Sequence, residues 1–209
     1  MKKIIGLCGF IGSGKGTVAN ILVNEYNFIE DSFAATLKDA VAAVFGWPRA
    51  MLEGNTDESR AWREEVDPWW SERLGKSITP RWVLQQWGTE VCRKSFHDDI
   101  WILSLERKLA NSDSNVVIAD CRFPNEVAMI KRLGGEVWRV KRGAEPDWYD
   151  HAINYNKGES NIGWAMSKHH LHTVANVHAS EYSWVGTDFD RIITNESTIE
   201  DLRSAIDIR

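Results

Sequence analysis

The sequence has 209 residues, of which 43% are hydrophobic and 26% charged, a balance that excludes a disordered chain, a collagen-like repeat and a miniprotein dependent on staples. Its 25 basic and 30 acidic side chains leave a formal net charge of -5, which argues against a generally basic nucleic-acid-binding surface while leaving room for a local positive phosphate pocket. Three cysteines, Cys8, Cys92 and Cys121, supply neither a disulfide framework nor a repeated metal-ligand spacing, and they fit a reducing compartment.

In chain order, the basic start Met1-Lys2-Lys3 runs into Ile4-Ile5-Gly6-Leu7-Cys8, an apolar run too short for a membrane span and read as a buried strand. Gly9-Phe10-Ile11-Gly12-Ser13-Gly14-Lys15-Gly16-Thr17 follows, then Val18, Ile21 and Leu22 at helical spacing, which predicts strand, loop and helix. After Phe28-Ile29, Asp31 either faces substrate or sits in a surface turn. Leu37, Ala40, Val41, Val44 and Phe45 form a second helical pattern that Gly46 and Pro48 should end. The polar stretch 53–76, with Trp62, Trp69, Trp70 and the interrupting Pro68, predicts small helices and turns. Thr79-Pro80 should cap and open a helix with Val83, Leu84, Trp87 and Val91 as its buried stripe, and Ile102, Leu105 and Leu109 suggest another.

The polar connector 111–115 precedes Val116-Val117-Ile118-Ala119, which predicts an interior parallel strand. Pro124 opens a helix carrying Val127, Ile130 and Leu133, and Gly134-Gly135 breaks it before the strand Val137-Trp138-Arg139-Val140. Residues 143–190, where periodic signals fade, are expected to form an irregular, mobile insertion or lid. Arg191-Ile192-Ile193-Thr194 is a further strand, and Ser197-Thr198-Ile199-Glu200 matches a capping box opening a terminal helix buried through Ile199, Leu202 and Ile206. These alternations predict an α/β fold with a largely parallel central sheet and helices on both faces.

Residues 9–17 contain the Gly-x-x-x-x-Gly-Lys spacing of a phosphate loop, with Gly16 where the magnesium-associated Ser or Thr usually stands and Thr17 one step later. Gly12, Ser13, Gly14, Lys15, Gly16 and Thr17 are therefore the candidate phosphate cradle. Backbone amides curve around the anion, the following helix aims its positive end inward, and Lys15 counters charge on the transferred group. Asp120 ends an apolar strand and is a candidate for organising magnesium-bound water or the acceptor, against the plainer reading of a cap or salt-bridge carboxylate. Lys38, Arg81, Arg122, Arg139 and Arg142 are candidate phosphate clamps, with Arg122 favoured by its position two residues beyond Asp120. His151, His169, His170, His172 and His178 gather late in the chain, but without a cysteine cluster or fixed spacing they read as polar lid contacts rather than a metal site. Most of the eleven tryptophans are expected to pack helices, strands or the lid rather than stack on bases.

Gly12-Ser13-Gly14-Lys15-Gly16-Thr17, residues 81–99, Asp120-Cys121-Arg122-Phe123-Pro124-Asn125-Glu126 and Asp190-Arg191-Ile192-Ile193-Thr194-Asn195 together resemble the deoxynucleoside monophosphate kinases of T-even-like bacteriophages. The likeness covers most of the chain discontinuously. It implies one P-loop nucleotide-kinase domain over residues 1–209, with an acceptor-binding helical region near 46–110 and a lid at 143–190. It further implies ATP and Mg2+ as cofactors and a deoxynucleoside monophosphate as acceptor. Lys15 and its loop would hold donor phosphates, while Asp31, Lys38, Arg81, Arg122 and Glu181 would serve the acceptor. Asp120, Arg122 and Arg142 would stand at the reacting end, with Thr17 and Asp120 near the metal, partly through water. The segment 53–76 is shorter or differently filled than in the best-known phage enzymes, which leaves base specificity open. The resemblance implies a cytoplasmic enzyme, in the host cytoplasm if phage-encoded, acting on neither nucleic acid nor membrane, with a homodimer left open. Another small-molecule kinase, such as one acting on a coenzyme precursor, and an ATP-dependent switch protein are the competing readings.

Overall fold

The computed structural model describes residues 2–158 and 161–208. They form two compact units: residues through Ser32 together with those from Ser112 onward, and Phe33–Asn111 between them. The chain runs β1 (Ile4–Cys8), α1 (Lys15–Tyr26) and β2 (Phe28–Asp31), then enters the second unit with α2 (Ala35–Phe45), α3 (Asp57–Trp62), α4 (Pro68–Leu74), α5 (Pro80–Gln85), a π-helical stretch (Gln86–Arg93) and α6 (Ile100–Ala110). It returns as β3 (Asn115–Ile118), α7 (Pro124–Arg132), β4 (Glu136–Lys141), α8 (Tyr149–Asn156), α9 (Ile162–His169), a second π-helical stretch (His170–Val174), α10 (Ala179–Tyr182), β5 (Arg191–Thr194) and α11 (Ile199–Ala205).

The first unit is built on a five-stranded sheet of order β2-β3-β1-β4-β5, parallel at every pairing. Interior strands of such a sheet are covered on both faces and read as continuous apolar runs, which is why all five residues of β1 are buried. From the centre, β1-α1-β2 moves one way and β3-α7-β4 the other, so right-handed crossovers put α1 and α7 on opposite faces. On one face Val18, Ile21 and Leu22 of α1 share a core with Ile5, Leu7, Val117, Trp138 and Val140, joined by Leu202 and Ile206 from the chain's end. On the other, Gly6 leaves room for Ile130 of α7, whose Cδ1 would lie 2.4 Å from a Cβ at that position. The predicted α/β architecture, a parallel sheet between helical layers, is therefore present.

Several boundaries differ from the sequence reading. Asp31 is the last residue of β2, an edge strand, instead of lying in a surface turn. The terminal helix is capped by Thr198 and Asp201, one residue later than the Ser197/Glu200 pairing. Thr198 Oγ1 accepts the Asp201 amide while the Asp201 carboxylate accepts the Thr198 amide; Leu202 and Ile206 are buried as expected, whereas Ile199, the first residue of the helix, is exposed. Residues 143–190, expected to be irregular, carry α8, α9, a π-helical stretch and α10.

The second unit is helical. Leu37, Val41, Trp47, Leu52, Ile78, Val83 and Trp101 form its core, with Trp70 packed against it, and the indole N–H groups of these three tryptophans find acceptors: Trp47 at Asp67 (2.7 Å), Trp70 at the Phe45 carbonyl (3.0 Å) and Trp101 at the Gly88 carbonyl (3.0 Å). Thr79 caps α5 as expected, accepting the Trp82 amide. The apolar stripe from Val83 does not continue to Val91, which is exposed. The helix widens to π geometry from Gln86, and a five-residue hydrogen-bond period rotates Val91 off the face that a 3.6-residue repeat assigns to it.

Candidate active site

All five strands point the same way, so the residues that follow them gather at one edge of the sheet, where parallel α/β folds place their ligands. The phosphate loop follows β1, Asp120 and Arg122 follow β3, Arg142 follows β4, Asn195 follows β5, and Asp31 closes β2 at the rim. β1 has β3 on one side and β4 on the other, which makes Asp120 and Arg142 the nearest strand-end neighbours of the loop.

The loop is shaped for an anion. Helix α1 starts at Lys15 with Gly14 as its cap, with neither a side-chain hydrogen bond at the cap nor an acidic residue in the first turn. The positive end of the helix and its first amides are thus left to be met by something outside the helix. Gly14 has φ 101°, and a Cβ there would come within 2.2 Å of Asn195 Nδ2. That approach is used, because Asn195 Nδ2 donates to the Ser13 carbonyl at 2.9 Å and Asn195 is itself held by its amide to the Lys141 carbonyl at 2.8 Å. Ser13 is buried, and its hydroxyl meets no hydrogen-bond partner, an orphan that a phosphate oxygen would satisfy. Gly12, Gly16 and Thr17 are exposed on the mouth of this cradle.

Lys15 Nζ donates to the loop's own carbonyls, Gly9 at 2.7 Å and Phe10 at 2.9 Å. Burial lowers its pKa from the ordinary lysine value and the Arg122 guanidinium lowers it further, with Glu181 acting in the opposite sense. Arg122 extends toward α10, where its Nη1 lies 3.3 Å from Glu181 Oε1 and 3.5 Å from Ser180 Oγ. Lys15, Arg122 and Glu181 therefore form one electrostatic group. The backbone of Arg122 is fixed by Glu126, a buried carboxylate that accepts the amides of Arg122 (2.7 Å) and Phe123 (3.0 Å). Asp120 is half-buried in the turn between β3 and Arg122. Cys121 beside it is hydrogen-bonded to Cys8, and this contact and burial push its thiol pKa well up, so it is held as the thiol and packs as a small apolar group.

Three other candidate clamps are ion-paired to carboxylates. Arg139 is buried in β4, with its Nη2 forked onto Glu145 at 2.7 and 2.6 Å and its Nη1 on the Tyr149 hydroxyl at 2.7 Å. It ties α8 to the sheet and offers no face to a phosphate. Lys38, in the second unit, is ion-paired to Glu53, which also binds Arg49. Burial disfavours the Glu53 charge, but those two bonds outweigh it and hold the carboxyl below its ordinary pKa. Arg81, in the same unit, pairs with Glu64 at the surface. Arg142 is exposed just past β4. Asp31 accepts the Ser32 amide at 2.8 Å.

Sequence reasoning missed three parts of the site. Asn195 was legible only as an asparagine directly after a strand, and Glu126 only as a carboxylate three residues past Phe123. Phe10 was hidden by its place inside the glycine motif. It packs against Trp148 (5.4 Å between ring centroids), Tyr149 (6.1 Å) and Trp184 (4.8 Å), joining the loop to the segment between β4 and β5. The late histidines find neighbours within that segment: His151 stacks on His170 at 4.0 Å, His172 Nε2 lies 2.8 Å from the Tyr182 hydroxyl, and His178 Nδ1 2.9 Å from Ser180 Oγ. Among the described residues, no group of three or more His, Cys, Asp or Glu side chains could hold a metal ion.

A protein of Acanthamoeba polyphaga mimivirus named "Putative deoxynucleotide monophosphate kinase" is 34% identical over 153 residues, covering 66% of this chain and 74% of its own length. The chain belongs to the deoxynucleotide monophosphate kinase family. A second member, the deoxynucleoside-5'-monophosphate kinase of Escherichia phage T5, is 26% identical over 181 residues, covering 63% of this chain and 72% of its own. No family model matches the chain. A solved dephospho-CoA kinase from Campylobacter jejuni aligns over 98% of this chain and 93% of its own at 16% identity and a TM-score of 0.42, a level that adds nothing to the family assignment. As a kinase of this family the chain is an enzyme, a nucleotide kinase with the P-loop fold. Among the described residues no helix is long and apolar enough to cross a membrane.

Proposed function

We propose that the protein transfers the γ-phosphoryl group of ATP to a deoxynucleoside monophosphate, releasing ADP and a deoxynucleoside diphosphate. The observation that carries this reading is the uncapped, acid-free start of α1 with the orphaned Ser13 hydroxyl, set beside Lys15, Arg122 and Glu181. Phosphoryl transfer asks little covalent chemistry of the protein and much positioning and charge neutralisation, and these groups suit both demands.

In this reading, the amides of residues 12–17 and the Ser13 hydroxyl bind donor phosphates. Lys15 exchanges its two loop carbonyls for phosphate oxygens and follows the transferring group. Arg122, loosely held by Glu181, swings between that carboxylate and the phosphates, and Arg142 approaches from the end of β4. Asp120 orients the acceptor or the water around the metal, and Thr17 faces the same side. Magnesium, when bound, would reduce repulsion among the phosphate oxygens. Lys38, Arg81 and Asp31 serve the acceptor, and residues 143–190 close over the loop through the Phe10 contacts to exclude water. The family names of the mimivirus and phage T5 relatives support the acceptor class.

Product analysis with ATP, Mg2+ and dAMP, dCMP, dGMP or dTMP in turn tests the proposal. The expected result is a deoxynucleoside diphosphate from at least one acceptor; ATP binding with no transfer to any of them rejects it.

A further inference from the structure

In the second unit, Arg63 lies just past the end of α3, and its carbonyl accepts the amide of Arg81 at 2.9 Å. That amide belongs to the first turn of α5, whose donors have no partner within the helix, so the bond fixes two arginines side by side. The Arg63 side chain lies over Gly54: a Cβ there would meet the guanidinium carbon and Nη2 at 2.1 Å. Gly54 has φ 69°, a backbone conformation that glycine adopts without penalty, and the missing side chain is the seat of the guanidinium.

Among the described residues, no hydrogen bond or ion pair reaches the Arg63 guanidinium, and its Nε is buried without a partner. Burial lowers its pKa, and the neighbouring Arg81 lowers it further, with the Glu64 and Glu53 charges acting in the opposite sense. The structural Arg139 also buries its Nε without a partner, but Glu145 and Tyr149 fill its terminal nitrogens, and it is this filling that Arg63 lacks. Nearby cations are accounted for: Lys38 and Arg49 share Glu53, Arg60 pairs with Asp57, and Arg81 pairs with Glu64 at the surface. A half-buried guanidinium that has no hydrogen bond or ion pair among the described residues and stands beside a second arginine is suited to an anion, and a planar fork matches a phosphate monoester through two parallel hydrogen bonds.

We propose that Arg63, seated on Gly54 and backed by Arg81, binds the phosphate of the monophosphate acceptor; this rests on the acceptor class given under Proposed function. Arg81 contributes charge and a second donor group once its exposed Glu64 partner is displaced.

The test compares the full chain with R63Q and R63K. In steady-state transfer, R63Q raises KM for the deoxynucleoside monophosphate about tenfold or more, as for loss of a charge-assisted pair, and leaves KM for ATP within about twofold. R63K, with charge but no fork, falls between. Calorimetric titration without ATP, using a deoxynucleoside monophosphate and its parent deoxynucleoside, separates phosphate recognition from base recognition. Wild type prefers the monophosphate, and R63Q loses that preference while its affinity for the nucleoside is unchanged. The thermal midpoint of R63Q stays level or rises, because a half-buried charge with one buried, unsatisfied nitrogen has been removed, whereas a merely structural arginine would lower it. An unchanged acceptor KM together with an unchanged monophosphate preference overturns the proposal. Arg63-dependent monophosphate binding by a wild type that transfers nothing keeps this site and discards the kinase reading, while normal transfer by R63Q keeps the kinase reading and discards this site.

Discussion

β3 and β4 flank the strand that leads into the phosphate loop, and an arginine follows the one and lies within the other, yet the two arginines are held in opposite ways. Arg139 is buried inside β4, forked onto Glu145 with a third bond to Tyr149. Arg122 stands in the turn after β3, half-exposed, with two long contacts to Glu181 and Ser180, while its backbone is pinned by the buried Glu126. A side chain whose terminal nitrogens are forked onto a carboxylate and a hydroxyl maintains structure. One whose main chain is rigid and whose guanidinium is loosely engaged is prepared to change partners. Arg63 extends the same rule to the second unit, where the main chain is fixed and, among the described residues, the guanidinium makes no hydrogen bond or ion pair.

The sharpest way to break this contrast is through the loop both strand ends serve. Lys15→Ala is expected to reduce phosphoryl transfer by about 10²–10³-fold, the usual cost of one preorganised donor to developing charge, with an unchanged circular dichroism spectrum. Transfer near the wild-type rate would remove Lys15 from the cradle. Arg139→Ala comes next and acts on stability: it leaves Glu145 without its main partner and should cost about 2–3 kcal/mol, below the full range for a broken buried pair because that carboxylate is partly solvated. Urea midpoints measure it, and a loss under about 0.5 kcal/mol, typical of surface changes, would show that Arg139 is not structural. Arg122→Ala should do the reverse, moving stability by no more than about 0.5 kcal/mol while lowering transfer by about tenfold or more through loss of a charged donor. A variant that is destabilised yet fully active would invert the assignment of the two arginines.

The sheet was legible because buried parallel strands are continuous apolar runs, as at Ile4-Ile5-Gly6-Leu7-Cys8 and Val116-Val117-Ile118, and glycine or proline marks their ends. The phosphate loop was legible because its chemistry demands specific residues at specific spacing. What failed was whatever depends on hydrogen bonds that a pattern does not encode. The Thr198/Asp201 cap won over Ser197/Glu200 by a single residue, and the π-helical turn carried Val91 to the surface. Residues 143–190 hid four helical pieces because each is short and packs through aromatic and histidine contacts instead of an aliphatic stripe. Arg139, Arg122 and Arg63 are the same letter in the sequence, and only their partners distinguish them.

The smallest expected effect concerns Lys15 and pH. Its folded-state pKa is lowered, first by burial and then by Arg122, so the folded chain binds its proton less tightly than the unfolded chain does. Where the unfolded state holds more protons, stability rises with pH. Lys15 therefore costs stability in its charged form, and that cost is relieved as pH climbs from the lowered folded value toward the ordinary lysine value of 10.5. Lys15→Met has no such proton to lose. Urea midpoints of the two proteins, followed from about pH 7 to about pH 10 across the lysine range, should show wild type gaining on Lys15→Met as pH increases. Because the hydrogen bonds to Gly9 and Phe10 are lost in the variant at every pH, they offset the two curves without changing the sign of the trend; parallel curves, or a wild type that falls behind, would mean that burial and Arg122 do not burden the Lys15 ammonium in the folded protein.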